Sequence, residues 1–129
     1  MIHARVWLLG VIAIGCGAPA PDPSSAPEMT ERGTFRLQVN YEREGGLQRG
    51  ANVFRVRAWD ASGATATLSE VVAEMPSHNH ERSVGTIVVD GDAFVVRDLW
   101  LTMPGRWQIT LRFVAGARTD AALVVVFIA

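Results

Sequence analysis

The chain has no lysine; all twelve basic residues among its 129 are arginine. That removes Schiff-base chemistry and a lysine general base. It has one cysteine, Cys16, so no intramolecular disulfide can form and no thiol nucleophile exists elsewhere. A small secreted domain without disulfides must hold together by burial alone. Charge of either sign is scarce: twelve basic residues against thirteen acidic ones leave a net charge of −1. Such a chain has no field to gather nucleic acid or acidic lipid. No segment repeats its apolar residues at a spacing of 3.6, so little helix is expected. No Ser-His-Asp order, phosphate-cradling loop, zincin motif or glycosidase carboxylate pair has supporting context, and an enzyme is not expected. A hydrophobic run long enough to span a bilayer as a helix, about 20 residues, is also missing at the start of the chain.

A shorter run is present. Residues 1–16 read MIHARVWLLGVIAIGC. Arg5 precedes an apolar stretch over residues 6–15, which suits the central region of a signal peptide. The stretch ends in Ala13-Ile14-Gly15-Cys16, which resembles a lipobox with Ala where Leu is commoner. The small Gly15 lets a peptidase reach the bond before Cys16, whose thiol would carry the diacylglycerol. Cleavage after Ala18-Pro19-Ala20 is the competing reading, but it puts Pro21 after the scissile bond, where its missing N–H and fixed φ make a poor substrate. A misassigned start is a further alternative. Several acyl chains on one cysteine anchor stably where a single chain binds marginally.

The expected organisation is a lipoprotein signal peptide over 1–15, a lipid-anchored tether over 16–33 and one domain over 34–129. The tether, rich in Pro, Ala and Ser, has no apolar periodicity and reads as disordered, semi-extended chain. Gly17 rather than Asp follows the cysteine, which points to the cell envelope at the periplasmic side of the outer membrane or the cell surface. His3 leaves with the leader.

From residue 34 the dominant period is two. Phe35, Leu37, Val39 and Tyr41 alternate with polar residues. Phe54, Val56 and Ala58 alternate with Arg55 and Arg57, and Asp60-Ala61-Ser62-Gly63 reads as a turn. Residues 64–75 form a weaker strand. Residues 84–89 and 93–99 meet across Asp90-Gly91-Asp92, a strong hairpin signal in which both acids are solvated turn residues. Trp107, Ile109, Leu111 and Phe113 make the cleanest alternation. Residues 121–128 are apolar on both faces, which suits a strand inside a sandwich. About seven strands with turns every 8–12 residues predict an all-β, immunoglobulin-like β-sandwich.

One pair of segments can carry chemistry. Glu74-Met75-Pro76-Ser77-His78-Asn79-His80-Glu81 holds two imidazoles two residues apart, which share a side in extended backbone. Met103, in Leu101-Thr102-Met103-Pro104-Gly105, lies in a second loop. Thioether and imidazole together form a soft to borderline donor set that suits copper, particularly Cu(I), better than oxygen-seeking Mg²⁺ or Ca²⁺. The expected metal ligands are Met75, His78, His80 and Met103. The opposing reading makes Met103-Pro104-Gly105 a tight turn, Met75 a core plug and the histidines solvated loop residues. Trp59, Trp100 and Trp107 are expected in the core.

Residues 53–113 also resemble a family. The strand over residues 53–59, Asp60 and Gly63, the Met75-Pro76-x-His78 turn and Leu99-x-Leu101-x-Met103-Pro104-Gly105-x-Trp107 look like the YtkA-like domain, a small periplasmic sandwich related in pattern to FixH. The resemblance implies an extracytoplasmic sandwich near copper handling or cytochrome-oxidase assembly, with Met75, His78 and Met103 following the motif; His80 is added from spacing alone. Two functions follow as expectations. One is a copper-binding or copper-delivery accessory lipoprotein with a copper acceptor as partner; the other is a non-catalytic envelope interaction module without metal. Ligand binding through an exposed Trp100 is a third.

Overall fold

The computed structural model describes residues 26–77 and 81–129. The leader, Cys16, the tether as far as residue 25, His78 and His80 lie outside the described residues.

The described chain forms eight strands and no helix: β1 (Arg36–Tyr41), β2 (Gly50–Trp59), β3 (Thr67–Glu74), β4 (Arg82–Val84), β5 (Thr86–Asp90), β6 (Ala93–Leu101), β7 (Gly105–Ala115) and β8 (Arg118–Ile128). They make two four-stranded sheets, ordered β1-β2-β6-β5 and β4-β3-β7-β8, with every pairing antiparallel. The all-β sandwich expected from the alternation is present. The inward sets are the ones alternation selects: Leu37; Phe54, Val56 and Ala58; Trp107, Ile109, Leu111 and Phe113; and Ala122, Val124, Val126 and Ile128. The Phe35 and Phe113 rings meet edge to face at 6.4 Å between centroids, a geometry aromatic quadrupoles favour.

Three local features depart from simple alternation. The stretch expected as one strand over 84–89 divides at Gly85: β4 pairs with β3 in one sheet and β5 with β6 in the other. Gly85 donates its N–H to the Val71 carbonyl at 2.9 Å. A Cβ there would sit 2.8 Å from Val96 Cγ1, so the crossing between sheets has room only for glycine.

The second departure is a β-bulge. β2 advances from Asn52 to Phe54 while β6 advances from Leu99 to Val96, and Asp98 takes a φ of 55°, a conformation a short polar side chain tolerates. The extra residue reverses the alternation of β6. Phe94 and Val96 face the core, as do Leu99 and Leu101 beyond the bulge. Trp100 is turned outward and is 52% exposed. The expectation of a buried Trp100 is thereby corrected: without the bulge the indole would point inward. Trp59 is likewise half-buried rather than core, whereas Trp107 is fully buried.

The third concerns β8. Its residues are apolar on both faces, which predicted an interior strand, yet it lies at the edge of its sheet. One face packs into the core; on the other, Leu123 is 38% and Phe127 60% exposed.

Candidate functional site

The antiparallel order brings three connections to one end of the sandwich: 42–49, the described parts of the β3–β4 connection (75–77 and 81) and 102–104. Met75 follows β3 directly and accepts closure of its loop by donating its N–H to the Glu81 carbonyl at 3.3 Å. Glu81 also receives the Thr102 hydroxyl at 3.0 Å, and Arg49 Nε donates to the Thr102 carbonyl at 3.2 Å. The two motif halves therefore touch. Gly105 has a φ of 128°, and a Cβ there would fall 2.7 Å from the Met75 ε-methyl. Trp107 Nε1 donates to the Met103 carbonyl at 2.9 Å, giving the one polar atom of this buried indole its partner.

The destinations of the individual donors differ. Met75 is 3% exposed and belongs to the hydrophobic core, so its thioether fills space between the sheets. Met103 is half-buried and packs against that core. His78 and His80 lie outside the described residues. Among the described residues no three His, Cys, Asp or Glu side chains gather as a metal would need. A site using Met75 requires its sulfur to leave the core.

The opposite end carries polar chemistry that single-residue motifs did not flag. Asp120, on β8, is buried and accepts hydrogen bonds from the Thr30 hydroxyl at 2.6 Å, the Arg32 N–H at 3.0 Å and the Ala121 N–H at 2.8 Å. Arg32 also donates to the Thr119 carbonyl, and Glu31 donates its N–H to the Ala121 carbonyl at 2.8 Å. Residues 30–33, read from composition as tether, are in this way clasped to β8. Burial pushes the Asp120 carboxyl up, but hydrogen bonds from Thr30, Ala121 and Thr34 outweigh it and hold the group well below the usual carboxylate range. Asp60 closes its own turn, accepting from Ser62 and Ala64 N–H groups at 2.9 and 3.0 Å, and pairs with Arg118 at 2.6 Å. The Ser62 hydroxyl foremost, then Arg118, hold its carboxyl well below the ordinary value. Local Asx-turn residues signal Asp60 in the sequence. Nothing local signals the partner of Asp120, which is ninety positions away.

The outer face of the first sheet has an unusual cover. Ala93 and Val95 point away from the core yet are buried. Arg55 reaches across β6 to Asp90 at 2.6 Å, and Arg57 reaches Asp92 at 3.5 Å, so arginine stems lie over the small apolar residues. Asp90 and Asp92 are therefore surface ion-pair partners as well as turn residues. An open groove of about 480 Å³ runs beside them, lined in part by Asn40, Arg55, Val88, Val95 and Arg97.

No family model matches this chain, and no curated protein or solved structure is significantly similar to it.

Proposed function

We propose that this protein is a non-catalytic interaction module of the cell envelope, held to a membrane through lipid on Cys16 and presenting a small sandwich to a partner. The observation that carries the reading is β8. It is apolar on both faces like an interior strand, yet one of those faces and one of its edges meet solvent. Edge strands are ordinarily blunted by charge, proline or cover, and an unblunted one is a template for another chain. The leader and the lipobox-like Ala13-Ile14-Gly15-Cys16 support the envelope location. The strand order β1-β2-β6-β5 opposite β3-β7-β8 supports an immunoglobulin-like reading, since it follows the A-B-E-D and C-F-G arrangement of that class. Pull-down from membranes tests the proposal. Partners recovered with the parent chain are expected to be lost with Leu123→Ser/Phe127→Ser and kept with His78→Ala/His80→Ala. Identical recovery with all three chains refutes it.

A copper-binding or copper-delivery role, with the YtkA-like resemblance behind it, has one observation in its favour: the Met75 methyl lies against Gly105, so the two motif turns are in contact. In this reading Met75, His78, His80 and Met103 hold the ion, and the buried thioether swings out to do so. Competition titration with Cu(I) and Cu(II) decides it. A dissociation constant tighter than about 1 μM, lost in Met103→Ala and in His78→Ala/His80→Ala, is the expected result; weaker binding removes the role.

A further inference from the structure

We infer that β8 pairs antiparallel with β8 of a second copy of this chain, about a twofold axis at Val125; the inference rests on the interaction-module reading and names its partner. The backbone sets the geometry. Ala121 turns its carbonyl off the sheet, because it accepts from Glu31. Strand alternation then aims the N–H and C=O groups of Leu123, Val125 and Phe127 the same way, toward the open edge.

The other three edges are protected. β1 is covered by the Leu37 N–H to Glu28 carbonyl bond and the Met29–Arg36 bridge. β4 has three residues and carries Arg82, and β5 has five and ends in Asp90. β8 has eleven, and among the described residues the outer-edge partners fall only at its start, Arg32 on the Thr119 carbonyl and Glu31 on the Ala121 carbonyl.

The occupant follows from charge and register. Residues 121–129 read AALVVVFIA, with no charge, proline or glycine. A twofold at Val125 sets Leu123 opposite Phe127 of the copy, so two exposed apolar side chains cover each other and no like charges meet. Arg118 and Asp120 fall beyond the paired stretch. The clasp at Glu31 blocks further sliding past Ala121, which fixes the register where the uncharged run itself cannot. Five edge residues and two side chains bury only a few hundred Å² per copy, at the low end of specific interfaces. The pairing is accordingly weak between free chains and favoured when both share a membrane surface.

Cysteine crosslinking of the full chain in cells tests this. Val125→Cys is expected to give a disulfide-linked homodimer on mild oxidation, whereas the parent chain and Thr119→Cys give none. Adding Leu123→Glu/Phe127→Glu puts like charges opposite and is expected to cut the dimer about tenfold; Leu123→Glu/Phe127→Arg makes the opposed pair complementary and restores it. Thr119, Leu123 and Phe127 are exposed and Val125 is half-buried outside the core cluster, so folding is preserved. Absence of a Val125→Cys homodimer, an equal yield at Thr119→Cys, or no difference between the two charge variants overturns the inference. A mixed disulfide with a different protein as the sole product also overturns it, but leaves the interaction-module reading standing. If partner recovery from membranes is insensitive to β8 while the homodimer forms, the wider reading fails and the pairing stands.

Discussion

The two ends of the sandwich are closed by different physics. At the end holding Met75 and 102–104, the buried part of the closure is apolar, with Met75 and Trp107 buried and Gly105 making room for a methyl group, while the Thr102 hydrogen bonds to Glu81 and Arg49 lie at the exposed surface. At the other end closure is polar. Asp120 gathers hydrogen bonds from Thr30, Arg32 and Ala121, while Asp60 ties its turn to Arg118. Apolar closure depends on volume and is indifferent to pH; polar closure depends on charge state and tolerates little change of donor. Of the donors first suspected of metal binding, Met75 and Met103 thus sit at the end closed by packing, with the Met75 thioether committed to the core.

The contrast can be broken most severely at Trp107. Trp107→Ala removes a fully buried indole and is expected to lower stability by about 3–5 kcal/mol, measured by chemical denaturation. Gly105→Ala adds a methyl where the backbone is left-handed and Met75 already sits, for an expected loss of about 2–4 kcal/mol. Met75→Ala in the same chain is expected to recover the steric part of that loss and not the backbone part. At the polar end, Asp120→Ala orphans buried donors and is expected to cost about 1–3 kcal/mol.

Titration sharpens the same comparison. Asp60 and Asp120 both have carboxyls held below their ordinary range. Their stabilisation is fully present above the unfolded-state value of about 4 and is lost as pH falls from there toward the depressed folded values. Melting temperature is expected to stay level from neutrality to about pH 5 and to drop below about pH 4. Asp120→Asn is expected to flatten that drop, whereas Met75→Leu leaves its shape unchanged. The smallest effect is expected at Trp100: Trp100→Ala, on an exposed side chain, should change stability by no more than about 0.5 kcal/mol.

Much of the fold was legible in the residues because it rests on local alternation. The inward sets of β1, β2 and β7 are read directly from period two, and the Asp90-Gly91-Asp92 turn is a two-residue hairpin with Gly91 at a φ of 62°. The crossing at Gly85 was not legible, since its cause is the approach of Val96 and Val71 from other strands. Nor was the exposure of Trp100, because one extra residue at Asp98 reverses which side chains face inward, and nothing in Arg97-Asp98-Leu99 marks it. The position of β8 was read from composition as interior. Composition records that both faces are apolar, not whether a neighbour in the same chain covers them. Of the candidate site, the burial of Met75 was not legible, because it depends on Gly105 leaving a space for it.

The sequence by itself determined that the chain folds as antiparallel strands, which side of most strands is buried, and that neither disulfide nor lysine chemistry is available. Those properties belong to residue type and spacing, which act within a few positions. Tertiary structure alone decided which strand ends its sheet, which tryptophan meets water, and that Thr30 and Asp120 fasten the chain ahead of β1 to β8. These depend on contacts between residues far apart in sequence, where a single bulge or bend changes the neighbour without changing the local pattern.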